Sequence, residues 1–292
     1  MDGVGIDDYS TLHRWSCDNR EEFWGICLDR LDIQFVTAPQ AVLSGSAHDA
    51  EWLPGAEMNI AASALDGPDD ALAIVHGTAG ALSRVTVAEL RADVARCANG
   101  MGEQGIGPGA AVAIVMPMTY EAVVAYLAIV VLGGAVVSIA DSFAPEEIAV
   151  RVELANAKWA VTQSATMRAG KTLPMFQKII DAGVDRAVVV PGALGPTLRA
   201  ADITWTDLQS DDDTLRFHMA PADATTNILF SSGTTGEPKA IPWSHTTPIK
   251  CAMDGHFHQD IHPGDVVAWP TNLGWMKGPW LIYAALVNDA AV

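Results

Sequence analysis

The six residues Ala111-Val-Ala-Ile-Val-Met116 contain no polar side chain. A strand with one face in water alternates apolar and polar positions, so a run that is apolar throughout belongs in a sheet covered on both faces. A helical pattern follows from about Thr119 to Leu132, then a second strand from about Val136 to Ile139. Pro145 opens another helix, Lys158–Thr162 reads as a short strand and Arg186–Val190 as another. Upstream, Ala71–Val75 has strand character. Thr86-Val-Ala-Glu89 is a capping box, and it precedes Val87, Leu90, Val94, Cys97 and Met101 at helical spacing. Apolar strands alternating with helices predict an α/β fold, stacked αβ layers around a mostly parallel sheet.

The chemistry is concentrated in Ile228-Leu-Phe-Ser-Ser-Gly-Thr-Thr-Gly-Glu-Pro-Lys-Ala-Ile241. Ile228–Phe230 reads as a buried strand that ends in six small residues, Ser231 to Gly236. Ser231, Ser232, Thr234 and Thr235 offer hydroxyls. Gly233 and Gly236 permit positive φ and close approach of backbone to ligand. Successive N–H groups in such a turn can form an anion-binding concavity, and Lys239 adds a compact charge suited to phosphate. A flexible Gly/Ser linker does not explain the strand before the run or Pro238-Lys239 after it. A Walker A loop requires Gly, four residues, then Gly-Lys-Ser/Thr; here Glu237-Pro238 separates Gly236 from Lys239, and the spacing fails. A second glycine pattern, Gly100-Met-Gly-Glu-Gln-Gly105, matches GxGxxG but follows a helix and precedes a strand, the reverse of a dinucleotide fingerprint. It reads as a helix end and turn.

Composition excludes several classes. Net charge is −18, from 35 acidic and 17 basic residues, which argues against nucleic acid and against an anionic membrane surface. The 50% hydrophobic, 18% charged composition is that of a soluble globular protein. Cys17, Cys27, Cys97 and Cys251 are scattered without a CxxC pair and read as reduced thiols. Ala122–Ala140 is uncharged for 19 residues, long enough for a membrane span, but Gly133-Gly134 divides it into a buried helix and a strand. The acidic N-terminus lacks a signal-peptide pattern, and the cytoplasm is the default location. Asp211-Asp-Asp213 reads as a solvated loop. His256 and His258, two residues apart, do not share a helix face, and His262 opens a His-Pro-Gly-Asp turn, so no metal triad is expected.

The run Ser231–Lys239 closely resembles the phosphate-binding signature of the adenylate-forming enzymes, the acyl-CoA synthetase superfamily. Ser231 stands where Thr is commoner and Ala240 where Gly is commoner. Glu51-Trp-Leu-Pro-Gly-Ala-Glu-Met-Asn-Ile-Ala61 is similar to the segment preceding the core in acetyl-CoA-synthetase-like members, carried by Trp52, Pro54, Gly55, Glu57 and Asn59. Asn272-Leu-Gly-Trp275, with Gly278 three residues on, resembles a family segment lining the acyl pocket. Asn272 replaces a commoner Asp, as in the plant peroxisomal acyl-activating branch. The resemblance implies that Ser231, Ser232, Gly233, Thr234, Thr235, Gly236 and Lys239 bind ATP phosphates, with Lys239 catalytic. It implies that His245 helps shape the carboxylate site, with a helix-capping or core role left open, and that Asn272, Gly274 and Trp275 line the acyl pocket. The loss of charge at Asn272 argues against simple acetate specificity.

The resemblance further implies ATP, Mg2+ and coenzyme A as cofactors and a small carboxylate as substrate. It covers the first half of a family member: the adenine and ribose motifs and the C-terminal catalytic domain are absent, and the chain reads as an N-terminal fragment. Expected divisions are an arm at 1–70, a first αβ subdomain at 71–220, and at 221–292 the phosphate-loop strand with the start of a second αβ part. Trp15, Phe23, Trp24, Phe35 and Trp52 are expected to anchor the arm. Asp265–Trp269 reads as a strand, Leu281–Val287 as a helix with little to pack against, and Ala290–Val292 as the start of a buried strand. Three functions follow: an AMP-forming acyl-CoA synthetase; an adenylate-forming ligase that passes its acyl group to a carrier-protein thiol; or a non-catalytic module that binds phosphates weakly.

Overall fold

The apolar runs form the strands they specify. In the computed structural model, which describes residues 5–46, 48–78, 80–231 and 236–292, β1 is Ala111–Val115, β2 Ala135–Ser138, β3 Trp159–Gln163, β4 Arg186–Val190, β5 Ile203–Thr204, β6 Thr225–Ser231 and β7 Lys239–Ser244. Among the described residues these seven strands make one sheet, in the order β5-β4-β3-β1-β2-β6-β7. Every neighbouring pair is parallel except β6 with β7, an antiparallel hairpin. Val112, Ala113, Ile114 and Val115 are all fully buried, as their lack of polar side chains requires.

Two helical layers cover the sheet. Helices α1 (Val87–Glu103), α2 (Tyr120–Val131), α5 (Thr246–His258) and α6 (Lys277–Leu286) share a core with one face, while α3 (Pro145–Leu154) and α4 (Met175–Asp181) fill the other. The Thr86 capping box closes in both directions: the Glu89 N–H donates to Thr86 Oγ1 at 3.2 Å, and the Thr86 N–H donates to Glu89 Oε2 at 2.8 Å. All five residues read at helical spacing in α1 are buried. Helix α2 is buried along the whole of Ala122–Val131, which explains its uncharged run; among the described residues no helix is long and apolar enough to cross a membrane. Gly100 to Gly105 forms the end of α1 and its turn, with Gly105 at φ +82.

Several elements differ from the sequence expectation. Leu72–Thr78 is not part of the parallel sheet; it pairs antiparallel with Ala81–Thr86, a strand whose mixed, exposed residues gave no period. A hairpin, Thr166–Arg168 with Lys171–Leu173, and α4 were also not anticipated. Asp265–Trp269 forms no strand ladder among the described residues; its β pairing there is the single bridge of Val266 to Ala291. Helix α6 does not lack partners: Gly278–Leu286 are all buried, packed against α5, with Tyr283 meeting Tyr126 edge-on at 6.0 Å. Ala290–Val292 is the buried strand-like segment expected, bonded through Val292 to Ala73 and Val75. The division expected at residue 220/221 falls inside one sheet, because β6 and β7 extend the sheet of residues 111–204.

The arm is fixed by aromatic contacts and one buried amide. Trp15, Phe23, Trp24 and Trp52 form a chain of edge-to-face pairs at 6.4, 5.7 and 5.3 Å. Asn59 is fully buried. Its Nδ2 donates to the carbonyls of Val130 at 2.8 Å and His218 at 2.9 Å, while its Oδ1 caps Ile60–Ala64 by accepting from the Ala61 N–H at 3.1 Å. Truncation would strand buried carbonyls and remove a cap. Asn59→Ala is expected to cost about 3 kcal/mol in urea denaturation; a loss under about 0.5 kcal/mol, typical of a surface change, would show that this amide does not hold the arm.

Candidate functional site

In an open parallel sheet, ligands bind outside the carboxyl ends of the strands where successive connections leave for opposite faces. Here β1 leads into α2 on one face and the adjacent β2 leads into α3 on the other. Next to β2 lies β6, parallel, with Asn227 opposite Val136 and Ile228 opposite Val137. The segments leaving β1, β2 and β6 therefore emerge together at the switch point.

The serine- and glycine-rich run joins β6 to β7. Ser231 and Lys239 face each other as the last pair of the hairpin. Gly236 has φ +87 with open space around it, a conformation that favours glycine. Lys239 is exposed on the edge strand. Ser232, Gly233, Thr234 and Thr235 lie outside the described residues.

The segment leaving β2 meets the Asn272-Leu-Gly-Trp turn. Asn272 Oδ1 accepts from the Gly274 N–H at 3.0 Å, an Asx-type turn, and the Gly278 N–H donates to the carbonyl of Trp275 at 2.8 Å. Both glycines are sterically required: a Cβ on Gly274 would strike the Ala140 backbone, and one on Gly278 the Asn272 carbonyl. The turn thus lies directly against the exit of β2. Trp275 is 56% exposed and Met276 51%, so Trp275 is not a core residue here. Lys277 sits over the ring of Trp280, with Nζ 3.7 Å from its centroid.

Sequence reasoning did not single out the polar cluster beneath this turn. Asp141, two residues past Ile139, is buried. Its Oδ1 accepts from Asn272 Nδ2 at 3.2 Å and its Oδ2 from Arg168 at 2.8 Å. The Lys178 ammonium donates to the main-chain carbonyls of Asp141 at 2.9 Å and Phe143 at 3.0 Å; burial lowers its pKa, opposed by the nearby Asp141 charge. Arg151 lies over Phe143 at 4.1 Å and reaches Phe230, the residue before the serine-rich loop, at 5.6 Å. The signal available in sequence was a lone Asp following an apolar strand.

His245 follows β7 and immediately precedes α5. It is 2% exposed, and its Nδ1 accepts from the Ile60 N–H at 3.2 Å. That bond requires a neutral ring protonated on Nε2, and it ties the start of α5 to the arm. Burial, reinforced by the charge of His218, depresses the His245 pKa to about 4. This placement favours the core role left open above.

The site therefore defines an α/β protein in which a glycine-seated turn lies against the exit of β2 and the adjacent parallel strand β6 leads into the serine-rich connection. The family model described as AMP-binding enzyme matches residues 61–292, and that for the acetyl-coenzyme A synthetase N-terminus matches residues 9–64; the chain belongs to the AMP-binding enzyme family. It is 42% identical to the Arabidopsis thaliana protein named probable acyl-activating enzyme 17, peroxisomal, over 98% of this chain and 43% of that one. It is 40% identical to hexanoyl-CoA synthase of Cannabis sativa, over 98% and 43%, and 30% identical to acetyl-coenzyme A synthetase of Escherichia coli, over 98% and 47%. The solved structure of acetoacetyl-CoA synthetase from Streptomyces lividans superposes with a TM-score of 0.91 at 29% identity, over 98% of this chain and 46% of that one. The chain thus spans slightly under half the length of the relatives it matches.

The buried neutral histidine carries a pH signature. Below its unfolded-state pKa near 6.5, the unfolded chain binds a proton at His245 that the folded protein does not accept until about pH 4. Stability is therefore lost as pH falls through that window, by on the order of 3 kcal/mol. In His245→Asn, whose Oδ1 can still accept from Ile60, the loss between pH 6.5 and 4 should shrink by that amount; identical urea-denaturation profiles for variant and wild type would show that His245 does not control it.

Proposed function

We propose that this chain supplies the phosphate-binding loop and part of the carboxylate pocket of an AMP-forming acyl-CoA synthetase, a ligase that forms carbon–sulfur bonds. In this reaction a carboxylate oxygen attacks the α-phosphorus of ATP, the bond to the β-phosphate breaks, and pyrophosphate leaves. The thiol of coenzyme A then attacks the acyl carbon of the adenylate, the bond to AMP breaks, and the thiol proton is released. The carboxylate is a poor electrophile until it becomes a mixed anhydride, and ATP makes that anhydride.

The observation that carries this reading is the parallel pairing of two strands, one leading into each of two segments. Strand β6, which leads into the Ser231–Lys239 connection, lies next to β2, and the exit of β2 seats the Asn272–Trp275 turn. The backbone and hydroxyls of Ser231–Gly236 would hold the β- and γ-phosphates, with Lys239 stabilising charge on the departing pyrophosphate. Mg2+ would come with the ATP phosphates and neutralise part of their charge; among the described residues no group of three His, Cys, Asp or Glu side chains could hold a metal ion. Asn272, Gly274 and Trp275 would form one wall of the acyl pocket. His245 would act through shape, fixing the β7–α5 corner against Ile60, since a ring that stays neutral down to about pH 4 is a poor acid near neutrality.

The substrate we infer is a carboxylate larger than acetate, of short to medium chain. Identity is higher to the protein named hexanoyl-CoA synthase, at 40%, than to the Escherichia coli acetyl-coenzyme A synthetase, at 30%. The neutral Asn272 and the exposed Trp275 fit a less polar, roomier wall. Omitting coenzyme A separates this reading from transfer to a carrier protein: the thioester should form with free coenzyme A.

The test is carboxylate-dependent ATP–pyrophosphate exchange by the gene product as its host makes it. Lys239→Ala should reduce exchange about 100-fold while leaving the thermal melt unchanged, and hexanoate should support faster exchange than acetate. Exchange unaffected by Lys239→Ala would remove the phosphate role. Phosphate binding without exchange for any acid would leave a non-catalytic binding module.

A further inference from the structure

Asn272 has a side-chain amide whose orientation is dictated from both ends. Its Nδ2 must face Asp141, because that carboxylate only accepts, and its Oδ1 must face the Gly274 N–H, which only donates. Rotating the amide would oppose oxygen to oxygen and nitrogen to N–H. Asp141 is equally constrained. It is 3% exposed, and its two oxygens are divided between Asn272 and the Arg168 guanidinium. Its main chain is clamped by Lys178 through the carbonyls of residues 141 and 143.

We propose that Asp141 is a positioning residue for the Asn272–Trp275 turn, and that positions 141 and 272 form a coupled pair with room for one carboxylate. This extends the function proposed above, because the turn is the wall assigned to the acyl pocket. Gly274 sets how closely the turn approaches the end of β2 by contact with the Ala140 backbone. Contact alone leaves the turn free to slide; the Asp141–Asn272 bond fixes its register, and with it the location of Trp275 relative to β2 and the adjacent β6. The negative charge that the family resemblance leads one to expect at position 272 is supplied from across the turn by Asp141.

Asn272→Asp tests this with almost no change of shape. It would set a second, half-buried carboxylate against the buried Asp141, where both cannot readily ionise and one retains a proton. With that proton on the new carboxyl at position 272, the group can donate to Asp141 as the amide did. Once the proton is lost, the pair repels. The shared proton has a raised pKa in the folded state, so the variant should match wild type near pH 4, lose stability relative to it as pH rises, and stay low above the raised pKa. Asp141→Asn/Asn272→Asp reverses the pair. The amide introduced at position 141 can donate through its nitrogen to the carboxylate introduced at position 272 and accept from Arg168 through its oxygen. The carboxylate at position 272 still accepts from the Gly274 N–H.

The experiment is a double-mutant cycle on the full chain, read by thermal melts from pH 4 to 9 and by pyrophosphate exchange. At pH 8 Asn272→Asp should raise the KM for carboxylate about tenfold while leaving the KM for ATP unchanged, and the double variant should return to within about threefold of wild type. A purely structural role would move both KM values or neither. Should Asn272→Asp fail to fold, recovery of a cooperative melt in the double variant sustains the pair. Additive losses in the double variant, or an Asn272→Asp melt that tracks wild type at every pH, overturn it. The melts need no substrate, so the coupling is decided even if no acid supports exchange, and exchange by wild type is decided whether or not the residues couple.

Discussion

Main-chain hydrogen bonds between β2 and β6, with Asn227 opposite Val136 and Ile228 opposite Val137, carry the serine-rich loop into a sheet otherwise built from residues 111–204. The seam is short and is supported by a buried side-chain bond, Ser138 Oγ to Asn227 Oδ1 at 2.7 Å. Because parallel pairing fixes direction as well as register, β6 must deliver its loop to the same edge at which β2 ends. The β2 exit then receives the Asn272 turn through Gly274 and Asp141. The two segments proposed to bind phosphate and to wall the carboxylate pocket, separated by about forty residues of sequence, thus depart from neighbouring strands of one sheet, as a site that must position reacting groups requires.

Much of this architecture was legible because local signals agreed with the global arrangement. The apolar runs of β1 and β4 allow only burial on both faces, and Thr86 with Glu89 marks the start of α1 to the residue. The strand Ala81–Thr86 was not legible, since its residues are mostly exposed and its stability comes from cross-strand pairing with Leu72–Thr78. Helix α6 looked isolated because periodicity cannot reveal which distant helix will cover it; α5 does so. The segment Asp265–Trp269 has strand composition, but among the described residues it bridges its neighbour at Val266 alone.

At the site, the sequence offered a candidate loop from Ser231 to Lys239 because small residues, glycines and a lysine at fixed spacing have few other uses. The polar cluster around Asp141 was invisible for the opposite reason. Asp141, Arg168, Lys178 and Asn272 come from four separate segments, and none carries a motif by itself. His245 lay between: its type suggested chemistry, and only its burial and its bond to Ile60 showed a ring committed to packing. Buried polar groups of this kind are specified by their partners, so sequence patterns record them only after the fold is known.

The segments around Ala73, Val267 and Val292 are stitched by the Val292 N–H to the Ala73 carbonyl, the Val75 N–H to the Val292 carbonyl, and the Val267 N–H to the Ala291 carbonyl. The two bonds of Val292 join residues more than two hundred positions apart in sequence. Such a clasp cannot form while the intervening chain is disordered, because closing so long a loop is entropically costly. It should therefore close late, after the sheet has organised, and behave as a checkpoint on folding: a chain arrested before this step would expose the apolar edges of Ile74 and Ala291 to whatever the cell holds nearby.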